Sequence, residues 1–131
     1  MTSLPDAAKA LLDAPEFATV ATLEADGSPQ TSVVWIARDG EDVVFSTIHG
    51  RRKTDNLRRD PRLSVLVYPR DAPYQYLEVR GEAAIEEDPS ASLIHALAQK
   101  YTGAERYTGD DGTDNRRVVV RVTPTKVHWR D

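Results

Sequence analysis

The 131-residue chain contains no cysteine. That excludes disulfides, thiolate metal sites, iron–sulfur clusters and a cysteine nucleophile. A cysteine-free chain suits a reducing compartment, so the expected location is cytoplasmic. Long apolar runs are missing too. None approaches the roughly 20 residues of a membrane span, and no signal-peptide pattern opens the chain. Nor is there an excess of positive charge: 17 Lys and Arg face 21 Asp and Glu, for a net charge of -4. Nucleic-acid binding through bulk charge is therefore not expected. Composition (40% hydrophobic, 29% charged) is that of a folded soluble domain. The length suits one domain spanning 1–131. A chain of this size buries roughly two-thirds of its unfolded surface and needs no covalent staple.

Catalytic signatures are equally scarce. The glycine-rich stretches match neither GxGxxG nor the P-loop, which excludes Rossmann and nucleotide-hydrolase readings. His49, His95 and His128 lie too far apart for metal-ligand spacing. Ser32 has no visible base and acid partners. Asp110, Asp111 and Asp114 do not follow the order of an EF-hand.

What the chain does have is regular β patterning. Residues 17–23, 30–37 and 42–48 read as strands, with hairpin signals at Asp26-Gly27 and Asp39-Gly40. These predict an antiparallel meander. Further strands are expected at 63–68, 75–85 and 117–122, with 125–129 continuing or pairing with the last. Helices are expected at 5–13, at 51–60 and at 91–101, the last with Pro89 inside its first turn. The Gly-, Thr- and Asp-rich stretch 102–115 reads as a mobile loop. Six or seven mostly antiparallel strands with two or three short helices predict a mainly β fold, a small barrel.

Charge is unevenly placed. Residues 51–62 carry six basic side chains (Arg51, Arg52, Lys53, Arg58, Arg59, Arg62) against Asp55 and Asp60. Arg51, Arg52 and Lys53 open the expected helix, where the partial positive charge of the dipole disfavours cations. A bound anion reverses that balance: a phosphate there meets free N–H groups and charged donors together. The alternative is a solvated surface helix balanced by its own aspartates.

Four segments carry a family resemblance: ATLEADGSPQTSVVW (21–35), VVFSTIHGRRKTDNLRRDPRLSVLV (43–67), YQYLEVRGEAAI (74–85) and RVVVRVTPTKVHW (117–129). In this order they resemble the pyridoxamine 5′-phosphate oxidase-like split-barrel superfamily. Within it they are most similar to the actinobacterial branch that uses the deazaflavin coenzyme F-420. The most distinctive string runs from Lys53 to Arg62. The resemblance implies an FMN-binding-like split β-barrel and a homodimer with cofactor sites at the subunit interface. It implies that Arg51 and Lys53 hold the cofactor phosphate, with Asn56 nearby on the same helix. It also implies that Thr31, Ser32, Val33 and Val34 run along the ring, and that Ser46 and Thr47 lead into the phosphate loop. Tyr76, from the partner subunit, and Trp129, near the chain terminus, complete the implied pocket. The longer chain and substrate-binding terminus of authentic pyridoxamine-phosphate oxidases are not visible, which speaks against vitamin B6 oxidation.

The implied activity is reduction of a small conjugated acceptor (an enone, quinone or tetrapyrrole-like compound) by hydride from reduced F-420. The cofactor carries that hard step, so a missing nucleophile–base pair is no objection. An FMN-binding oxidoreductase on the same barrel stays open, because FMN also presents a phosphate. So does a non-catalytic carrier of a flavin-like ligand.

Overall fold

The computed structural model describes residues 2–131. Among these are helices α1 (Asp6–Asp13), α2 (Arg52–Arg59) and α3 (Ser92–Thr102). The strands are β1 (Ala18–Leu23), β2 (Pro29–Val34), β3 (Ala37–Asp39), β4 (Asp42–Ile48), β5 (Arg62–Val67), β6 (Tyr76–Glu87) and β7 (Arg117–Arg130). All seven join one antiparallel sheet in the order β2-β1-β5-β6-β7-β4-β3. The fold is the mainly β split barrel that the sequence predicts.

Both Asp-Gly hairpins form, β1 with β2 and β3 with β4. The meander does not continue between them. The expected strand 30–37 breaks at Trp35-Ile36, and β2 and β3 lie at opposite edges of the sheet. Three Cα steps from Val34 to Ala37 reach at most about 11 Å, so the two edges must come that close. The sheet therefore curls into a barrel, split where this short crossing bridges its edges.

The crossing is stable because α3 satisfies its backbone. Ile36 N–H donates to the Tyr101 hydroxyl at 3.0 Å, and the Lys100 ammonium donates to the Ile36 carbonyl at 2.5 Å. Lys100 also donates to the Leu12 carbonyl at 2.6 Å, and Tyr101 to that of Glu16 at 2.6 Å. Burial of the ammonium pushes Lys100 down to about 8. One turn of α3 thus ties α1, the crossing and the start of β1 together.

Alternation sets the core. Along β1 the inward residues are Ala18, Val20 and Thr22. They meet Val65 and Val67 of β5, Leu77 and Val79 of β6, Phe45 of β4, and Val120 and Val122 of β7. Leu4, Ala8 and Leu12 close one end. β7 runs unbroken through Pro124, which lacks a ladder N–H. Opposite it the register shifts at Arg80/Gly81, and a Cβ on Gly81 would collide with the Thr123 carbonyl. Here the bulge and the glycine accommodate the proline.

Pro89 sits ahead of α3 rather than in its first turn. Asp88 caps the helix instead, accepting from the N–H groups of Ser92 at 3.2 Å and Leu93 at 3.1 Å. The loop 103–116 is laced by ion pairs: Arg106 with Asp111 at 2.7 Å, and Asp110 with Arg117 at 2.8 Å. Among the described residues no helix is long and apolar enough to cross a membrane.

Candidate functional site

β4 ends at Ile48, Gly50 turns the chain with φ 87°, and α2 begins at Arg52. Thr54 fixes this turn, donating to the Ile48 carbonyl at 2.8 Å with the Thr47 hydroxyl 3.2 Å away. No side chain caps α2. The first α-helical bond runs from Asp55 N–H to the Arg51 carbonyl, so the N–H groups of Arg52, Lys53 and Thr54 remain open.

Beside this open helix end lies a cavity of about 230 Å³. Its basic end is formed by Arg51, Lys53 and Arg117, its polar flank by Ser46 and Thr47, and its apolar walls include Val33, Val34 and Trp35. Arg117 sits there by register: β7 opposes β4 with Arg117 across from Ile48. Its guanidinium is paired with Asp110. Neither Arg51 nor Lys53 has a carboxylate partner among the described residues. Burial pushes the Lys53 ammonium below the ordinary lysine value, and the charges of Arg51 and Arg117 push it the same way.

One further feature points to a polar ligand. Ser46 Oγ, on the flank of the cavity, is buried without a hydrogen-bond partner. Buried polar groups without partners are rare in folded proteins and call for an explanation. A phosphate-bearing ligand with a polar ring fits this donor set. The open N–H groups and two free cations suit the phosphate, and the Ser46 hydroxyl suits a ring heteroatom. Larger hollows exist elsewhere, but their cations are spoken for. In one of about 480 Å³, Arg62 pairs with Asp60 and Arg80 with Glu78.

The structure therefore brings together Arg51, Lys53, Ser46, Thr47, Val33 and Val34. Thr31 and Ser32 share β2 with the two valines but do not line the cavity. Asn56 does not reach it. Its amide donates to Thr22 Oγ1 at 3.0 Å and its carbonyl accepts from Arg59 at 2.9 Å, facing β1. Asn56 thus anchors α2 to the sheet. Tyr76 and Trp129 lie apart from the cavity within one subunit. Tyr76 packs against His128, and Trp129 sits opposite Leu77 against the core. His49 is taken up by Glu87 at 2.9 Å and Arg58 at 3.0 Å.

Sequence reasoning missed Phe17, Ile48, Ile94, Leu97, Tyr107 and Arg117. Arg117 carried a faint signal: a basic pair directly before an apolar strand. Tyr107 carried none, because its place depends on the path of a loop.

A curled antiparallel sheet with an anion-ready cavity at the end of β4 defines a split-barrel ligand-binding protein. The chain belongs to the pyridoxamine 5′-phosphate oxidase family, whose model matches residues 4–130. A solved structure named F420 reductase is 34% identical, aligned over 97% of this chain and 100% of that one, with a TM-score of 0.85. A conserved hypothetical protein from Mycobacterium tuberculosis is 27% identical over 96% of this chain and 84% of its own, with a TM-score of 0.77. An FMN-binding, pyridoxamine 5′-phosphate oxidase-related protein from Nostoc punctiforme shares the fold at 16% identity and a TM-score of 0.66, over 96% and 84% of the two chains.

Proposed function

We propose that this chain is a reductase that binds coenzyme F-420 and reduces a small conjugated acceptor such as an enone, a quinone or a tetrapyrrole-like compound. The observation that carries the reading is the uncompensated pair Arg51 and Lys53 at the open end of α2, leading into a cavity walled by Val33, Val34 and Trp35. Similarity to a protein named F420 reductase supports the choice of deazaflavin.

Arg51, Lys53 and the open N–H groups of α2 hold the phosphate. Ser46, Thr47 and the β2 residues Val33 and Val34 receive the ring, with Thr31 and Ser32 further along the same strand. When bound, the deazaflavin supplies direct hydride transfer to an electrophilic carbon. The chain's own work is then to orient the reactants and exclude water. The apolar walls suit that task, and solvent can deliver the accompanying proton at the open side.

The reading includes a homodimer. A cavity of about 230 Å³ is smaller than the roughly 300–1,000 Å³ of most small-molecule sites. Val33 and Phe17 beside it are 67% and 45% exposed. A second subunit on this face covers them and deepens the site, with Tyr76 and Trp129 as its contribution.

The test is turnover. Reduced F-420 mixed anaerobically with the protein and a quinone should regain its oxidised absorbance faster than without protein. Tight binding without acceleration across enones, quinones and tetrapyrroles would make the protein a carrier. Acceleration with reduced FMN alone would move it to the FMN branch.

A further inference from the structure

Two hollows meet at the proposed site. The second, of about 370 Å³, is lined by residues that include His95, Asp110 and Asp111. Tyr107 and Arg117 are the side chains that line both. Tyr107 is half-buried between them and forms the partition.

The ring is mounted from several directions. Its edge packs against Trp35 at 6.0 Å between centroids and 88° between planes. The Arg117 guanidinium lies over the ring at 5.1 Å, itself fixed in a two-pronged pair with Asp110 at 2.8 and 3.0 Å. The backbone N–H of Tyr107 donates to His95 Nδ1 at 2.9 Å, which requires the neutral imidazole with its proton on Nε2. The loop folds directly beneath the phenol at Gly109, where a Cβ would collide with the ring. A floppy loop residue needs none of these supports. A wall of fixed position needs all of them, because side chains select by shape only when their own rotamers are locked.

We propose that Tyr107 is a specificity-determining residue of the proposed reductase, a partition that excludes wide fused-ring acceptors, with His95 and Gly109 as its positioning residues. The inference rests on the cavity's being the reaction site. Selection works through the ring, not the hydroxyl. Removing the ring joins the cavity to the second hollow and leaves Arg51 and Lys53 untouched, while Arg117 keeps its pair with Asp110.

The experiment compares kcat/KM for a single-ring quinone and a three-ring fused quinone, after an F-420 fluorescence titration of every variant. Tyr107→Ala should move the ratio roughly tenfold toward the wide quinone, the scale of a modest shape change in an apolar pocket. The change should appear in KM for the wide quinone. Tyr107→Phe should keep the wild-type ratio. His95→Ala and Gly109→Ala should shift it part of the way, and His95→Asn, which retains an acceptor near the Nδ1 position, should restore it. An unchanged ratio in Tyr107→Ala with F-420 bound overturns this inference alone, and so does a ratio that changes in Tyr107→Phe. A wild type that binds no F-420 overturns the parent reading and this one with it. Should Tyr107→Ala not fold, the His95→Ala and His95→Asn pair decides, since loss and rescue of the ratio are expected only if the wall's position matters.

Discussion

Replacing Lys53 by Met separates the charge of the site from its packing. Methionine keeps the apolar stem, so only the ammonium is lost. A hydrogen bond to a charged group contributes about 1.5–3 kcal/mol. Lys53 is half-buried and Arg51 remains beside it, which places the loss in the lower part of that range, about 1.5–2 kcal/mol. That is roughly 10–30-fold in Kd for F-420. The free protein should respond in the opposite sense. Unliganded, the ammonium is disfavoured by burial and by Arg51 and Arg117, so Lys53→Met should leave Tm unchanged or raise it. A pH series adds a third readout. The free Lys53 value lies below the ordinary 10.5, and a bound anion raises it again. Between the two values, binding takes up a proton, so affinity should fall as pH rises through that window. In Lys53→Met this part of the fall should vanish. Fluorescence titration and a thermal melt measure all three. An unchanged Kd, or a mutant whose unliganded Tm drops sharply, would refute the assignment of Lys53 to an anion site.

Three other outcomes follow from the fold. Asn56→Ala should destabilise by about 1–3 kcal/mol in a urea melt, because it removes the buried hydrogen bond to Thr22 and the part-buried one to Arg59 and frees α2; F-420 Kd at temperatures where the mutant is folded should change less than in Lys53→Met. Gly81→Ala should destabilise by about 3 kcal/mol, since the new methyl meets backbone at Thr123 rather than a side chain that can move; a wild-type melt would mean the bulge is soft. The folded Lys100 value of about 8 lies below the ordinary 10.5, so the unfolded chain binds more protons between them. The stability advantage of wild type over Lys100→Met should therefore widen from pH 8 to pH 10, and a gap that narrows would contradict the buried ammonium.

Much of this architecture is legible in local sequence. Asp26-Gly27 and Asp39-Gly40 mark their hairpins because each turn needs one residue at positive φ, and Gly27 and Gly40 show φ of 85° and 62°. Cations crowded at a helix start gave away the anion-ready end of α2, since the misplacement is visible without any partner. The crossing at Trp35-Ile36 was not legible. It carries no glycine or proline, and what turns the chain there is Lys100 and Tyr101, sixty-odd residues away. Asn56 shows the same limit. It lies one turn beyond Lys53, and only the packing of α2 on β1 reveals that its amide faces Thr22 instead of the cavity. Pro124 likewise leaves open whether 125–129 continues the strand or pairs with it, and the bulge at Gly81 lets one strand pass.

The central claim is that the cavity between β4 and α2 is a deazaflavin site. Its most direct test is titration of the cofactor-free protein with F-420 and, separately, with FMN, each followed by ring fluorescence. The account predicts micromolar or tighter binding of F-420 and weaker binding of FMN. Tighter binding of FMN, or binding of neither, would contradict it.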